Sequence, residues 1–399
     1  DMGAEVIKVE PPEGDAFRAN QSMIVPGESK GFTVYNRGKR SLCLDLGRPE
    51  ARAVVDALVR RADVALVSLK PTDLPRYSLT YERFAAIKPQ IVYLEHIPLG
   101  PKGPFGADGG YDVVVQGMSG LGTITGRTGE GGAPMNVRPA YADMATGFLS
   151  ALAVVAALRH RDLTGEGQRV ETSLLGTSLA LAGNLIHWFA ATDPPVWEAF
   201  HAELAKLRAG GAGFEEQRAL YERRVLAGGH GNAYFRHYRT KDGFISVGCL
   251  SPALNARFRT VTGLADPRGE PGFDMSRLEC WDALTAFVRT AEDLLATKTT
   301  GQWIAALRAG GVPCGPFNFP NEVFDDPQVA ANGYLVELDH PILGPYKTFA
   351  PPIRMDRSPT AIRSSSPLLD ADTDAVLAEA GLPPAEISQL RTAGVVGRR

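Results

Sequence analysis

Little in this sequence points to an unusual environment. Only four of its 399 residues are cysteine (Cys43, Cys249, Cys280 and Cys314), and no two stand in the short C-x-x-C spacing of a zinc or redox site. The scatter argues equally against a disulfide framework and suits a reducing cytoplasm. Charge of one sign is lacking too: the net charge of −3 gives no electrostatic reason to bind nucleic acid or an acidic membrane surface. The longest apolar stretch, Phe148 to Leu158, falls short of the roughly 20 residues that span a bilayer. Signal-peptide patterning, repeats and low-complexity tracts are all missing. The first residues, Asp1-Met2-Gly3-Ala4-Glu5, lead directly into a strand, as though a preceding element were absent.

What is present is ordinary for a globular protein, 44% hydrophobic and 22% charged, with length enough for two domains. Val6 to Glu10 is β-prone and ended by Pro11-Pro12, and Ser41 to Leu46 reads as a second strand. Pro49 to Arg61 has helical spacing, with Val54, Val55, Leu58 and Val59 apolar. Val64 to Val67 is a strand, Tyr81 to Ile87 a helix and Ile91 to Leu94 a strand. Strands alternating with helices predict right-handed crossovers and a mostly parallel sheet, an α/β fold. Met144 to Arg161 is a helix with almost no polar face, which predicts burial. A strand at Arg169 to Ser173 and an apolar helix at Leu174 to Phe189 follow. From about Asp193 to Gly229 a polar helical stretch reads as a connecting arm, and the region to Pro313 as a smaller α+β domain. The tail beyond Pro367 is amphipathic helix.

Asp143 directly precedes the apolar helix, where aspartate is a favoured N-cap. A helix start also keeps a carboxylate ionised and offers free amides to a developing oxyanion, so cap and catalytic nucleophile are compatible roles. Gly117 to Gly122 fits neither a nucleophile elbow nor a dinucleotide fingerprint; it reads as a glycine-rich turn packed near a ligand. Gly228, Gly229, His230, Gly231 and Asn232 form a loop with one imidazole, an exposed turn or a lid over a site. His230 and His237 lack the carboxylate or cysteine partners of a metal set, so no metal is expected. Arg37, Lys39 and Arg40 are a solvated basic face or a phosphate contact, and Cys314 a small apolar filler. The residues alone stop at an enzyme-like α/β protein.

Taken in order, several segments together resemble the family III CoA transferases, also called CaiB/BaiF. They are Asp1 to Pro11, Asn36 to Leu42, Gly110-Tyr111-Asp112 with Gln116 and Gly120, Ala142-Asp143-Met144 through Arg161 to Gln168, Tyr238 to Gly243, Gly311 to Pro316, Asp326 to Gln328 and Asp372 to Leu377. The resemblance covers nearly the whole chain. It implies a Rossmann-like large domain with a mostly parallel sheet (1–192, resumed at 317–399), an arm (193–229), a small α+β domain (230–316) and an interlocked homodimer. It further implies Asp143 as covalent nucleophile, with coenzyme A or acyl-CoA and a carboxylic acid as substrates, and neither nicotinamide nor metal. CoA contacts are implied at Leu44, Arg48, Ser68, Leu69, Arg76, Tyr77 and Tyr111, and a shielding loop at Gly228 to Asn232. Gly47 stands where a lysine is common, with Arg48 beside it as a substitute. Ser68-Leu69-Lys70-Pro71-Thr72 departs from the usual Asn-Phe/Tyr-x-Pro-Gly.

Two alternatives share the fold. A 2-methylacyl-CoA racemase of the same fold carries Gly-His-Asp where this chain has Gly110-Tyr111-Asp112, and tyrosine, with a pKa near ~10, is a poor replacement for that acid/base histidine at neutral pH. A non-catalytic acyl-CoA-binding protein would bind the ester and leave Asp143 unmodified.

Overall fold

The computed structural model describes residues 1–19, 22–124, 127–225, 232–274 and 278–397. Two compact units emerge, Asp1–His187 with Pro327–Arg399, and Trp188–Asp326. In the first, β1 (Ile7–Glu10) is followed by the short antiparallel pair β2 (Met23–Val25) and β3 (Glu28–Ser29), then α1 (Lys30–Asn36) and β4 (Arg40–Cys43). Next come α2 (Ala51–Arg61), β5 (Val64–Val67), α3 (Asp73–Tyr77), α4 (Tyr81–Ile87) and β6 (Val92–His96). The α2 helix buries Val54, Val55 and Val59 and closes on Arg60 and Arg61, where the dipole favours cations. Thr80 caps α4 by accepting from Arg83 N.

Beyond β6 lie α5 (Asp112–Met118), α6 (Leu121–Ile124), the long α7 (Tyr141–Thr164), β7 (Gln168–Thr172) and α8 (Leu174–Ala182). The Thr164-to-Gln168 turn has two separate reasons for its glycines. Gly165, at φ +78°, ends α7 in the left-handed conformation and donates to Arg161 O. Gly167 lies so close to the segment leading into β6 that a Cβ would sit 2.2 Å from Ile91 O. The chain can therefore enter β7 only without a side chain there.

The expected parallel pairing is present but divided. β1 pairs with β4, and β5–β6–β7 form a second parallel sheet. Among the described residues no ladder joins the two. The β4–α2–β5 crossover joins strands that are not hydrogen-bonded neighbours, so a shared core rather than a continuous ladder holds them.

The second unit contains α9 (Pro194–Ala209) and α10 (Phe214–Arg224), joined by ion pairs of Glu203 with Arg223 and Arg224. Strands β8 (Phe235–Arg239) and β9 (Phe244–Gly248) form a hairpin, helices α11 (Pro252–Thr262), α12 (Leu278–Leu295) and α13 (Thr300–Ala309) follow, and β10 (Cys314–Pro316) adds to β9. Its core gathers Tyr234, Tyr238, Ile245, Phe258, Phe287, Trp303 and Leu307. Trp303 is fully enclosed and its Nε1 donates to Leu295 O at 2.8 Å, which satisfies the one polar atom it buries.

The chain then returns to the first unit through α14 (Pro327–Ala331), the hairpin β11 (Leu335–His340) with β12 (Gly344–Phe349), α15 (Thr373–Glu379) and α16 (Pro384–Thr392). Val376, Leu377, Ile387 and Leu390 pack with Leu42, Leu44, Val54, Val67 and Tyr93 into one core, each large side chain contributing about 2 kcal/mol. Beside it Arg18 is buried between two carboxylates. Its Nε and Nη2 reach Glu10 at 2.9 Å each and its Nη1 reaches Glu28 at 3.0 Å, with the Phe32 ring 3.7 Å below.

The α7 helix corrects two expectations. It spans 24 residues, and by length and hydropathy it is long and apolar enough to cross a membrane, unlike the shorter run read from the sequence. Nor is it a buried helix. Its enclosed residues are the small ones, Ala142, Thr146, Ser150 and Ala157, which let the backbone lie close to β6 and β7. The bulky residues turn outward, and Phe148 and Leu152 are 66% and 65% exposed.

Candidate active site

Asp143 is the third residue of α7, not its N-cap: the helix starts at Tyr141 and the capping position is Ala140, which has no cap side chain. The cap comes from another helix. Asp112, at the start of α5 and buried, accepts through Oδ1 from Ala142 N at 2.9 Å and Asp143 N at 3.4 Å. Its Oδ2 accepts from Gln116 Nε2. Gln116 in turn holds the strap leading into α7, accepting from Val137 N at 2.7 Å and donating to Val137 O at 3.2 Å. The amides expected to await an oxyanion are thus taken by Asp112.

This arrangement sets the electrostatics. Partial desolvation, and then the neighbouring Asp112 carboxylate, push the Asp143 carboxyl above its ordinary range, against the stabilising pull of the helix start. The side chain nevertheless opens outward. A carboxylate that is crowded yet accessible, with its backbone fixed by a buried cap, is suited to attack an electrophile. Behind it, Ser150 Oγ and Thr172 Oγ1 lie 3.1 Å apart and His96 Nδ1 is 3.3 Å from Thr172 Oγ1, which ties α7 to the carboxyl ends of β6 and β7. Burial lowers the His96 pKa. Beside the helix start an apolar hollow of about 320 Å³ is lined by Leu121, Tyr141, Met144, Ala145, Phe148 and Leu181; the glycine-rich turn of 117–122 forms part of its wall through Leu121.

Asp112 and Gln116 stood in the sequence motif without a role. The signal available was an acidic residue at a helix start, but its partners lie 30 and 31 positions onward.

Tyr111 immediately precedes Asp112 and is 80% exposed, so one loop carries both. That loop packs tightly: a Cβ on Gly110 would sit 2.8 Å from Pro98 Cβ, and one on Gly109 3.2 Å from Lys70 Cε. Lys70 belongs to the β5–α3 turn with Ser68 and Leu69, so the structure brings the Ser68–Tyr77 stretch beside the Tyr111 loop. Ser68 and Arg76 are exposed, while Leu69 and Tyr77 pack against the core edge. The Arg76 guanidinium lies 5.2 Å from the Tyr77 ring centroid. Leu44 and Arg48 lie at the end of β4 against the C-terminal segment. Leu44 is enclosed in the core, and Arg48 Nη2 donates to Ala393 O at 2.6 Å.

Arg37, Lys39 and Arg40 have partners. Arg37 pairs with Asp1 and lies over the Phe349 ring. Arg40 is held by Glu5 and Glu379. Burial, with Lys8 adding repulsion, lowers Lys39 to about 8. Cys314 is half-buried, and burial raises its thiol pKa, as an inert filler requires. Gly228, Gly229, His230 and Gly231 lie outside the described residues. Asn232 is described, and its Oδ1 accepts from Tyr234 N at 2.9 Å. Among the described residues no three His, Cys, Asp or Glu side chains converge as metal ligands.

The family model for CoA-transferase family III matches residues 1–373. The chain is similar to the succinate–glutarate CoA-transferase of Agrobacterium fabrum, 33% identical over 396 residues, covering 95% of this chain and 89% of that one. It is 29% identical to the formyl-CoA:oxalate CoA-transferase of Rhodopseudomonas palustris, with 98% and 91% covered. Among solved structures it resembles a CaiB/BaiF family protein from Brucella suis, with a TM-score of 0.69, 29% identity, and 95% and 92% of the two chains covered.

Proposed function

The chain belongs to CoA-transferase family III and is an enzyme of that family, and we propose that it moves coenzyme A from an acyl-CoA to a carboxylic acid with Asp143 as covalent nucleophile. The observation that carries this reading is the Asp143 carboxylate, raised in pKa and open at a helix start fixed by Asp112.

An Asp143 oxygen attacks the thioester carbonyl, the C–S bond breaks, and CoA leaves as thiolate, with Asp143 and the donor acyl group now joined as a mixed anhydride. The thiolate attacks the Asp143 carbonyl carbon and releases the donor acid, leaving an aspartyl-CoA thioester. The acceptor carboxylate attacks that thioester and expels the thiolate, which then takes the acceptor's acyl carbon and frees Asp143. Each step exchanges one acyl bond for another without change of oxidation state, so the sequence needs no oxidant and no nicotinamide. Dividing the exchange in this way replaces one difficult displacement by easier ones, and holding thiolate and anhydride together supplies proximity. Asp112 is a positioning residue here: it fixes the backbone amide of Asp143 and keeps the carboxyl basic. The CoA contacts at Leu44, Arg48, Ser68, Leu69, Arg76, Tyr77 and Tyr111 belong to the same proposal. Leu44, with its side chain enclosed, would serve through its backbone. The loop of Gly228 to Asn232 is assigned to shielding the intermediates from water.

The open apolar face of α7 supports the interlocked homodimer as its cover, since Phe148, Leu149, Leu152 and Val155 in one stripe are costly to leave in water. A cytoplasmic setting suits the four unpaired cysteines. Incubation with mixed acyl-CoAs and hydroxylamine, followed by peptide mass spectrometry, tests the chemistry. A hydroxamate on Asp143 that requires acyl-CoA is expected. Its absence with every acyl-CoA that binds would overturn the proposal.

A further inference from the structure

The open face of the β8–β9–β10 sheet carries a cleft of about 740 Å³, lined in part by Asn232 at the end of the shielding loop, to which no step of the reaction above assigns a ligand. Strand alternation sets its character. Arg236 and Tyr238 point toward α12, whereas Phe235 and His237 point the other way, and His237 pairs in register with Ser246. His237 Nδ1 lies 2.9 Å from Ser246 Oγ. We assign the Ser246 hydroxyl as donor there, so that Nε2 carries the N–H of the ring that lines the cleft. The His237 and Phe317 rings meet edge to face, with centroids 4.9 Å apart. Phe235 and Phe317 are 56% and 47% exposed. Asn232 uses its Oδ1 on Tyr234 N, so its amide N–H groups are also donors. Gly248 and Gly315 leave the floor open: a Cβ on Gly315 would meet nothing within 4 Å.

We propose that this cleft binds a monocarboxylic acid with a flat aromatic body. Its polar groups, His237 Nε2 and the Asn232 amide, are donors, which selects an acceptor such as a carboxylate. Its aromatic surfaces are Phe235 and the His237 ring, the latter backed by Phe317, and they select a ring. Among the described residues that line the cleft, a second carboxylate would find no free cation. Arg236 is the lining guanidinium, and it is committed to Glu292 at 2.5 Å and to the Tyr238 ring on the other face of the sheet. An aliphatic diacid would therefore bury one charge without a partner. As an assignment of the acid substrate the idea rests on the transferase reading; as a binding site it does not.

The test is calorimetric titration of the full chain, without acyl-CoA, using phenylacetate, phenylacetamide and succinate. Phenylacetate is expected to bind at least about tenfold more tightly than either of the others, since each lacks one of the two recognised features. His237→Ala and Phe317→Ala should each weaken phenylacetate about tenfold, and Gly315→Leu, which fills the floor, should remove binding. Equal affinity for phenylacetate and phenylacetamide, tighter binding of succinate, or no effect of Gly315→Leu would overturn the site. The three-ligand comparison uses unaltered protein, so it stands even if a variant misfolds. Because no thioester is present, phenylacetate binding without any Asp143 hydroxamate would sink the transferase reading alone, and the converse result would sink this one alone.

Discussion

Asp112→Asn is the sharpest probe of the helix cap. Asparagine keeps an oxygen for Ala142 N and Asp143 N, now 2.9 and 3.4 Å from Oδ1. Its NH2 group must then face Gln116 Nε2, another donor. Gln116 cannot turn its amide over without losing both bonds to Val137. A buried donor left without an acceptor costs about 1–3 kcal/mol. Relief of repulsion between Asp112 and the open Asp143 returns only a few tenths, roughly, at a solvent-screened site. The net loss is about 2 kcal/mol, and at about 2–4 °C per kcal/mol for a domain of this scale the melting temperature should fall by about 4–8 °C. Differential scanning calorimetry reads this directly. Asp112→Asn combined with Gln116→Glu should recover part of the loss, since a carboxylate then meets the new NH2 group while Val137 N keeps its acceptor. Removing one of the two causes that raise Asp143 should also move the acid limb of the activity profile to lower pH. A variant melting within ~1 °C of the parent would show that the Asp112 network does not hold α7.

Asp143→Asn should abolish hydroxamate formation and lower kcat at least ~1000-fold with the fold intact. The folded Asp143 pKa is raised, so the attacking carboxylate is lost as pH falls through a value above the usual ~4; an acid limb at or below ~4 contradicts that. By the same sign, ionised Asp143 is a small stability deficit at neutral pH, present above its unfolded pKa and relieved on acidification, so Asp143→Asn should melt no lower than the parent. Arg18→Met leaves Glu10 and Glu28 buried without their shared cation and should cost about 3–5 kcal/mol in urea unfolding; a loss under ~1 kcal/mol would refute the cluster's role. Gly167→Ala, with its Cβ driven against Ile91 O, should cost about 1–3 kcal/mol. Gly147→Ala, on α7 with open space around the added methyl, should instead stabilise by about 0.5–1 kcal/mol.

What the sequence determined by itself was local. Val64–Val67 and Tyr81–Ile87 occupy the positions their periodicities predict, because a branched apolar run and a threonine cap act within a few residues. The order of motifs was enough for the family, since each needs only its own spacing. The tertiary structure decided what depends on distant partners. An almost uniformly apolar α7 has no polar stripe to say which side is buried, and the choice fell to small residues lying against β6 and β7. Asp143 reads as a cap from position alone, yet Asp112, far back in the chain, supplies the cap and lets the helix begin earlier. In the second unit, strand register alone sends Arg236 to Glu292 and leaves His237 facing the cleft. Local geometry is written in neighbouring residues; which side chain meets which across the fold is settled only when burial, charge and hydrogen bonding are satisfied together.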